Sequence, residues 1–376
     1  MLYEYIETPE HLDRVLERLA ELPLIAVDTE AAGYHRYLDS ISLLQISSRE
    51  ENFLIDPIAL DDLSGLRPIL EDEKIETIFH DADFDLRILD RDLQLRVAGL
   101  FDTQIAAAFL GERALGLGAL VERYLGIKLP KAYQRADWAE RPLSEGMKDY
   151  AATDTVHLPA LRDKLRTALE EKGRLAWAEE EFARREETRW SVTADQLAGF
   201  MRIKGARDLT GRGLAILREI FDWREEVARE RDQAAFRVLA NKAMIEIGLR
   251  APANRDELMS ITGVSDRMAD RSGADLLEAV KRGEAVVDDE LPRFPPSKRW
   301  DRDPESEARG ERLRGVRNRL AAELDLDPGF LMSRAVLDEI ARRNPASIAE
   351  LENLPDIRRW QIVAIGEPLM HALRSR

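Results

Sequence analysis

The chain has 376 residues, no cysteine, and 56 Lys and Arg against 72 Asp and Glu, a formal net charge of −16. The length exceeds one ordinary core, and the missing cysteine excludes disulfides, thiol nucleophiles, iron–sulfur clusters and thiolate zinc sites together. The acidic balance argues against a simple basic nucleic-acid binder, and no apolar run approaches the ~20 residues of a membrane helix.

Residues 1–20 read as a short strand and an amphipathic helix, acidic and without the apolar stretch of a signal peptide. Leu24–Val27 is a short buried strand running out into Asp28-Thr29-Glu30. Ile41–Ser47 and Asn52–Ile55 read as two more strands, and 62–72 as a helix. Glu76–His80 is a strand followed by a helix over about 83–92; Leu100–Asp102 is a strand entering a helix over 103–110. Further helices are expected over 117–125, 144–155, 157–172 and 174–189. This succession predicts a mixed α/β sheet domain over 1–190.

From residue 193 onward only helical periodicity remains, interrupted by a Pro- and charge-rich linker at 286–308. Across that linker, Arg237–Val264 aligns without a gap on Phe330–Ile357, with seven identities in 28 positions. Two copies are too few for a solenoid, so two small all-helical modules are expected, 191–285 and 309–376. The first copy has Asn241-Lys242 near Arg237 and Arg250 where the second has Arg334-Ala335, and Gly263 is matched by Asp356. The first is expected to touch a polyanion; the second reads as weaker or structural.

The chemistry-bearing residues fall in the first domain. Asp28 and Glu30 are two apart in a strand, so their side chains share a face roughly 6.6–6.8 Å apart. Asp81, Asp83 and Asp85 follow the strand ending at His80, Asp83 placed to cap the next helix and Asp85 in its first turn. Tyr150 and Asp154 are one helical turn apart. Each element alone has a plain structural explanation: a polar turn, acids at a helix N-terminus, a core tyrosine. Taken together, converging carboxylates would repel and hold protons unless cations neutralised them. With only five histidines in the chain, such a site favours a hard ion, Mg²⁺ or Mn²⁺. A pair of divalent ions ~3.5–4 Å apart would clamp an in-line phosphoryl displacement. Tyr150 would deprotonate or merely position the attacking water, and its ordinary pKa of ~10 leaves both roles open.

In order and spacing, Asp28-Thr29-Glu30, the His80–Asp85 element and Tyr150-x3-Asp154 resemble the three motifs of the DEDD exonucleases. The tyrosine marks the DEDDy branch; the sister branch has histidine where this chain has Asp149. The segments at 101–111 and 133–144, with two helical modules similar to HRDC domains, extend the resemblance to the ribonuclease D family along nearly the whole chain. It implies an RNase H-like mixed sheet flanked by helices, followed by two small all-α HRDC-like domains. It implies metal ligation by Asp28, Glu30, Asp85 and Asp154, with Tyr150 orienting the water. The implied reaction releases nucleoside monophosphates from RNA 3′ ends, including those of tRNA precursors, in the cytoplasm. No obligate protein partner and no membrane are inferred. The alternatives are a 3′–5′ exodeoxyribonuclease of the same fold and a non-catalytic RNA-binding scaffold.

RNA contacts are expected from Lys131, Arg135, Trp138, Arg141, Arg237 and Lys242, as phosphate ligands and, for the tryptophan, a stacking surface. The run Arg202, Lys204, Arg207, Arg212, Arg218 reads either as a phosphate track or as a solvated face. Arg293, Lys298 and Arg299 add cations in the linker. His80 reads as a packed or backbone-satisfying residue, Asp102 as a helix cap, and Gln45 as a polar residue bordering the site.

Overall fold

The computed structural model of the chain describes residues 3–191, 199–295 and 303–374. Its one sheet has the order β1-β4-β3-β2-β5-β6, from β1 (Glu4–Ile6), β2 (Leu24–Ala31), β3 (Ile41–Ser47), β4 (Asn52–Ile55), β5 (Glu76–Phe79) and β6 (Leu100–Asp102). Strand β3 runs antiparallel to both neighbours, and the other pairings are parallel. Eight helices flank the sheet: α1 (Pro9–Leu19), α2 (Arg67–Leu70), α3 (Asp83–Ile88), α4 (Thr103–Leu110), α5 (Leu117–Leu125), α6 (Glu145–Val156), α7 (Leu158–Glu171) and α8 (Leu175–Glu186).

Side-chain alternation along β2 divides the domain into two layers. Ile25 and Val27 face a core with Leu12, Val15 and Leu19 of α1 and with Leu86 and Ile88 of α3. Leu24 and Ala26 face the opposite core, with Ala106, Phe109, Leu161, Leu165 and Phe182 from α4, α7 and α8. Helix α6 lies on this second face, where the 0 % exposure of Ala151 and Ala152 permits close approach to the sheet. It ends at Val156 because Pro159, in the first turn of α7, has no N–H to continue it.

Two expected boundaries shift. The 62–72 helix is a 3₁₀ turn at Ser64–Leu66 joined to α2, since Pro68 in the first turn of α2 supplies no α-helical hydrogen bond upstream. The 83–92 helix stops at Ile88, continues as a π turn over Leu89–Leu93 and ends at Gln94 with φ 53°. Strand β2 pairs with β3 as far as Ala31, so both acids lie within it, on the shared face that their spacing requires.

The helical half contains α9 (Gly211–Glu230), α10 (Ala235–Val238), α11 (Asn241–Arg250), α12 (Arg255–Met259) and α13 (Asp266–Ala285), then α14 (Pro304–Glu323), α15 (Pro328–Leu331), α16 (Arg334–Arg343), α17 (Ile348–Glu352), α18 (Arg359–Gln361) and α19 (Glu367–Arg374). The internal repeat is structural: α10, α11 and α12 recur as α15, α16 and α17 at the same offset. The identities have physical reasons. Glu257 and Glu350 each accept from the backbone N–H of Ala253 and Ala346 at 2.8 and 2.9 Å, fixing the start of α12 and α17. Arg250 pairs with Glu246 as Arg343 pairs with Glu339. Gly263 (φ 98°) and Asp356 (φ 64°) hold the same left-handed turn, so the aspartate keeps the conformation that glycine adopts freely.

The two modules meet the sheet domain differently. The second shares a hydrophobic core with it: Trp360 stacks on Trp177 at 5.6 Å and meets Phe109 edge-on at 5.0 Å, and Phe330 meets Phe109 at 4.8 Å. The first touches the loop after β2 through polar contacts. Arg36 bridges Asp137 and Asp232, the Tyr37 hydroxyl reaches Glu225, and the Ala234 N–H donates to the His35 carbonyl.

Candidate active site

The pairing of β2 with β5 ends at Ala26, while its pairing with β3 continues. Past that point the strand keeps the face of Leu24 and Ala26 but loses the neighbour on one edge. Asp28 and Glu30 occupy that face. Helix α6 brings Asp154 to it, held at its far end by a 2.5 Å hydrogen bond between Thr155 and Ser47 of β3. Asp28, Glu30 and Asp154 each present an oxygen within 4.8 Å of one another.

Asp85 arrives from the other layer, around the free edge of β2. Its Oδ1 accepts from the Thr29 N–H at 3.1 Å and from the Thr29 hydroxyl at 2.6 Å. The strand's orphaned amide is thus satisfied by a carboxylate where β5 would otherwise have paired it. The three-acid cluster does not include Asp85, but its charge acts on both Asp28 and Glu30. Asp102 positions this acid: it caps α4 through the N–H groups of Gln104 and Ile105, as expected, and also accepts from Asp81 and Ala82. Asp83 does not cap α3; it pairs with Arg87 and Arg185. His80 hydrogen-bonds Thr103 at 2.9 Å, the structural role expected of it.

Burial pushes every one of the four acids upward, and repulsion adds to it for Asp28 and Glu30. Asp28 and Glu30 are held well above the ordinary carboxylate range, first by burial and then by the neighbouring carboxylates. Asp85 and Asp154 are each pushed up to about 7, chiefly by burial. A hydrogen bond from Tyr150 moderates the rise of Asp154. The phenol of Tyr150 is itself raised, by burial and then by Asp154, Glu30 and Asp28, and its side chain is hydrogen-bonded to Gln134. Tyr150 is therefore a neutral phenol near pH 7, able to donate to or orient a ligand. An all-oxygen, mutually repelling donor set of this kind suits a hard divalent cation. Gln45 fits the same picture: it lies opposite Asp28 in register, is fully buried, and its amide finds no partner among the described residues.

A groove of about 550 Å³ opens from Tyr150 and Asp154 along Leu117, Lys128, Lys131 and Gln134. Lys131 lines the same groove as Asp154, joined by Lys128 and by the N-terminus of α5, whose N-cap Gly116 provides no side-chain cap. Asp154 at one end and Lys131, Lys128 (paired with Glu122) and the start of α5 along the wall give the groove the polarity a phosphodiester requires.

Two expected RNA contacts are corrected. Trp138 is 1 % exposed and packs 6.1 Å from the Tyr150 ring, so it supports the tyrosine and has no free face for a base. Arg141 is spent on a bidentate pair with Asp56 at 2.6 and 2.8 Å and on the carbonyls of Ser42 and Trp138. Part of the basic run is spent on contacts within the chain: Arg207 covers Phe294, Arg212 reaches Asp288 and the Val286 carbonyl, and Arg218 pairs with Glu219. Arg135, Arg237 and Lys242 are exposed. Lys298 and Arg299 lie outside the described residues. Sequence reasoning missed Lys128, Gln134 and the α5 N-terminus. Gln134 sits inside the segment singled out at 133–144, so proximity to motif residues was the available signal.

Comparison with known proteins decides the class. A family model for 3′–5′ exonucleases matches residues 3–170, and one for the HRDC domain matches 213–280 and 306–373. Ribonuclease D of Gluconacetobacter diazotrophicus is 32 % identical over 365 residues, covering 96 % of this chain and 90 % of that protein. The chain belongs to the ribonuclease D family. The Escherichia coli ribonuclease D is 34 % identical over 299 residues, 78 % of each chain. Its crystal structure, described as an exoribonuclease involved in structured RNA processing, superposes with a TM-score of 0.73 over 100 % of this chain and 99 % of that one. A Bifidobacterium adolescentis protein superposes at 0.83 with 26 % identity, covering 99 % of this chain and 97 % of its own. This member of the ribonuclease D family is a hydrolase, a 3′–5′ exoribonuclease acting on RNA, and its acid cluster fits a metal site.

Proposed function

We propose that this exoribonuclease shortens the 3′ extensions of tRNA precursors in the cytoplasm, by two-metal in-line hydrolysis with Mg²⁺ or Mn²⁺, and without an obligate protein partner. The observation that carries the site is the convergence of Asp28, Glu30 and Asp154 within 4.8 Å beside Tyr150. Asp28, Glu30, Asp85 and Asp154 would hold the ions, and their raised proton affinities express the same need for cations. When bound, a divalent pair supplies a polarised water and stabilises the leaving oxygen.

The chain's own residues do the rest. The neutral phenol of Tyr150, held by Gln134 and packed on Trp138, orients the attacking water rather than taking its proton. Asp154 accepts from that hydroxyl and fixes its direction. Lys128, Lys131 and the N-terminus of α5 hold the phosphates of the terminal nucleotides in the groove. Thr29 and Asp102 keep Asp85 aimed at the cluster. The Glu30 end of β2 leads straight into the loop that meets the first helical module, which favours RNA entering along that side.

Digestion of a 3′-extended tRNA, resolved at single-nucleotide length with and without EDTA, tests this reading. The expected result is a metal-dependent ladder of products ending near the mature 3′ end. An activity that ignores EDTA, or a ladder on unstructured RNA with none on the extended tRNA, would overturn it.

A further inference from the structure

The loop after β2 carries a cluster that the catalytic reading leaves unused. Tyr34, four residues beyond Glu30, is 43 % exposed, and Phe236 of α10 is 48 % exposed. Their rings lie 5.3 Å apart at 52°. Two guanidinium groups converge on the tyrosine from opposite sides of the domain seam: Arg135 at 5.7 Å and Arg237 at 4.9 Å from the ring centre. His35 lies edge-on to Tyr34 and its Nε2 contacts the Arg135 carbonyl at 2.8 Å, tying this loop to the segment that holds Gln134 against Tyr150.

Nothing here resembles the seam's structural contacts. Arg36, Tyr37 and Arg229 close the same seam by pairing with Asp137, Asp232, Glu225 and one another. Arg135 and Arg237 have no carboxylate within ion-pair distance among the described residues, in a chain with a net charge of −16. Large exposed rings beside unneutralised guanidiniums, away from a carboxylate, are the chemistry that receives a base and its phosphate.

We propose that Tyr34, Phe236, Arg135 and Arg237 form a docking site for one unpaired nucleotide of the RNA, upstream of the scissile bond, with the rings receiving the base and the two arginines its flanking phosphates. This rests on the catalytic centre lying where the acids converge. Because the cluster draws half its groups from each domain, the nucleotide is gripped only when the first helical module is docked on the nuclease domain. The module thus contributes to the substrate path itself.

The test is equilibrium binding of an unstructured RNA oligomer to the full chain in EDTA, so that no hydrolysis interferes. Wild type and Tyr34→Ala are compared on intact RNA and on oligomers with one abasic residue at successive positions from the 3′ end. Tyr34→Ala is expected to weaken intact RNA about tenfold. One abasic position should cost wild type a similar factor and cost Tyr34→Ala nothing, while Tyr34→Phe binds like wild type. Arg237→Gln should lower the slope of log affinity against log salt by about 1. The proposal is overturned if Tyr34→Ala binds intact RNA normally, or if every abasic position costs both proteins equally. Nucleotide release by wild type with Mg²⁺, run in parallel, reports on the catalytic reading alone. Its failure leaves the binding cycle readable, and an uncoupled cycle beside normal release removes only the docking site.

Discussion

Replacing Asp154 by asparagine should make the metal-free protein more stable while removing its activity. In the unfolded chain the carboxyl has its ordinary value of 3.8; in the fold it is pushed up to about 7 by burial. The native state therefore holds the proton more tightly than the unfolded chain. Below pH 3.8 the group costs nothing; the cost grows as pH rises and reaches its full size above pH 7. About three pH units at 1.36 kcal/mol each set that cost at roughly 4 kcal/mol at pH 8, falling to roughly 2 kcal/mol at pH 5. Asparagine has the same shape, carries no charge, and still accepts from Tyr150. Urea unfolding in EDTA should show Asp154→Asn more stable than wild type at pH 8, with the advantage about halved at pH 5. Millimolar Mg²⁺ should stabilise wild type more than the variant. A variant less stable than wild type at pH 8, or an advantage independent of pH, would refute the claim that burial of its carboxylate dominates the electrostatics of Asp154.

Tyr150→Phe keeps the ring between Trp138 and Tyr133 and removes the hydroxyl. Turnover should fall roughly 100-fold with RNA affinity and melting temperature little changed, measured by nucleotide release and calorimetry. Arg141→Ala should leave Asp56, 2 % exposed, without its cation. A loss of about 3 kcal/mol in urea unfolding is expected, with an unaltered salt dependence of RNA binding, since Arg141 is not an RNA contact. Trp360→Ala removes the ring wedged among Trp177, Phe109 and Phe330 and the 2.7 Å bond to Glu181. It should cost about 3–5 kcal/mol and make the second module protease-sensitive, read by limited proteolysis.

The opening charge imbalance now has a location. The acids that matter are the few buried ones on β2, α3 and α6. Many of the others are ordinary surface acids, some of them paired with arginine as in Arg49–Asp163 and Arg67–Glu71, pairs worth little individually. On the proposed reading, a chain with a net charge of −16 acts on RNA because the groove wall and the seam, not the overall charge, face the substrate.

The amino-acid sequence determined what depends on short spacing. Alternation along β2 put Asp28 and Glu30 on one face; helical periodicity put Tyr150 and Asp154 on another; the repeat marked two equivalent modules. These are local regularities, written within a few residues of each other. Which acids meet was decided by tertiary structure. Asp85 is anchored to Thr29, 56 positions away, only because β5 ends short and leaves an amide for it to satisfy. Trp138 and Arg141 looked like substrate contacts because aromatic and basic residues in a loop carry no local sign of burial. Packing against Tyr150 and Asp56 turned them inward. The Tyr34 cluster was equally hidden, since Phe236 and Arg237 lie some two hundred residues along the chain and meet it only when the first module docks. Sequence spacing encodes direction within an element; convergence between elements is set by how their apolar faces are buried together.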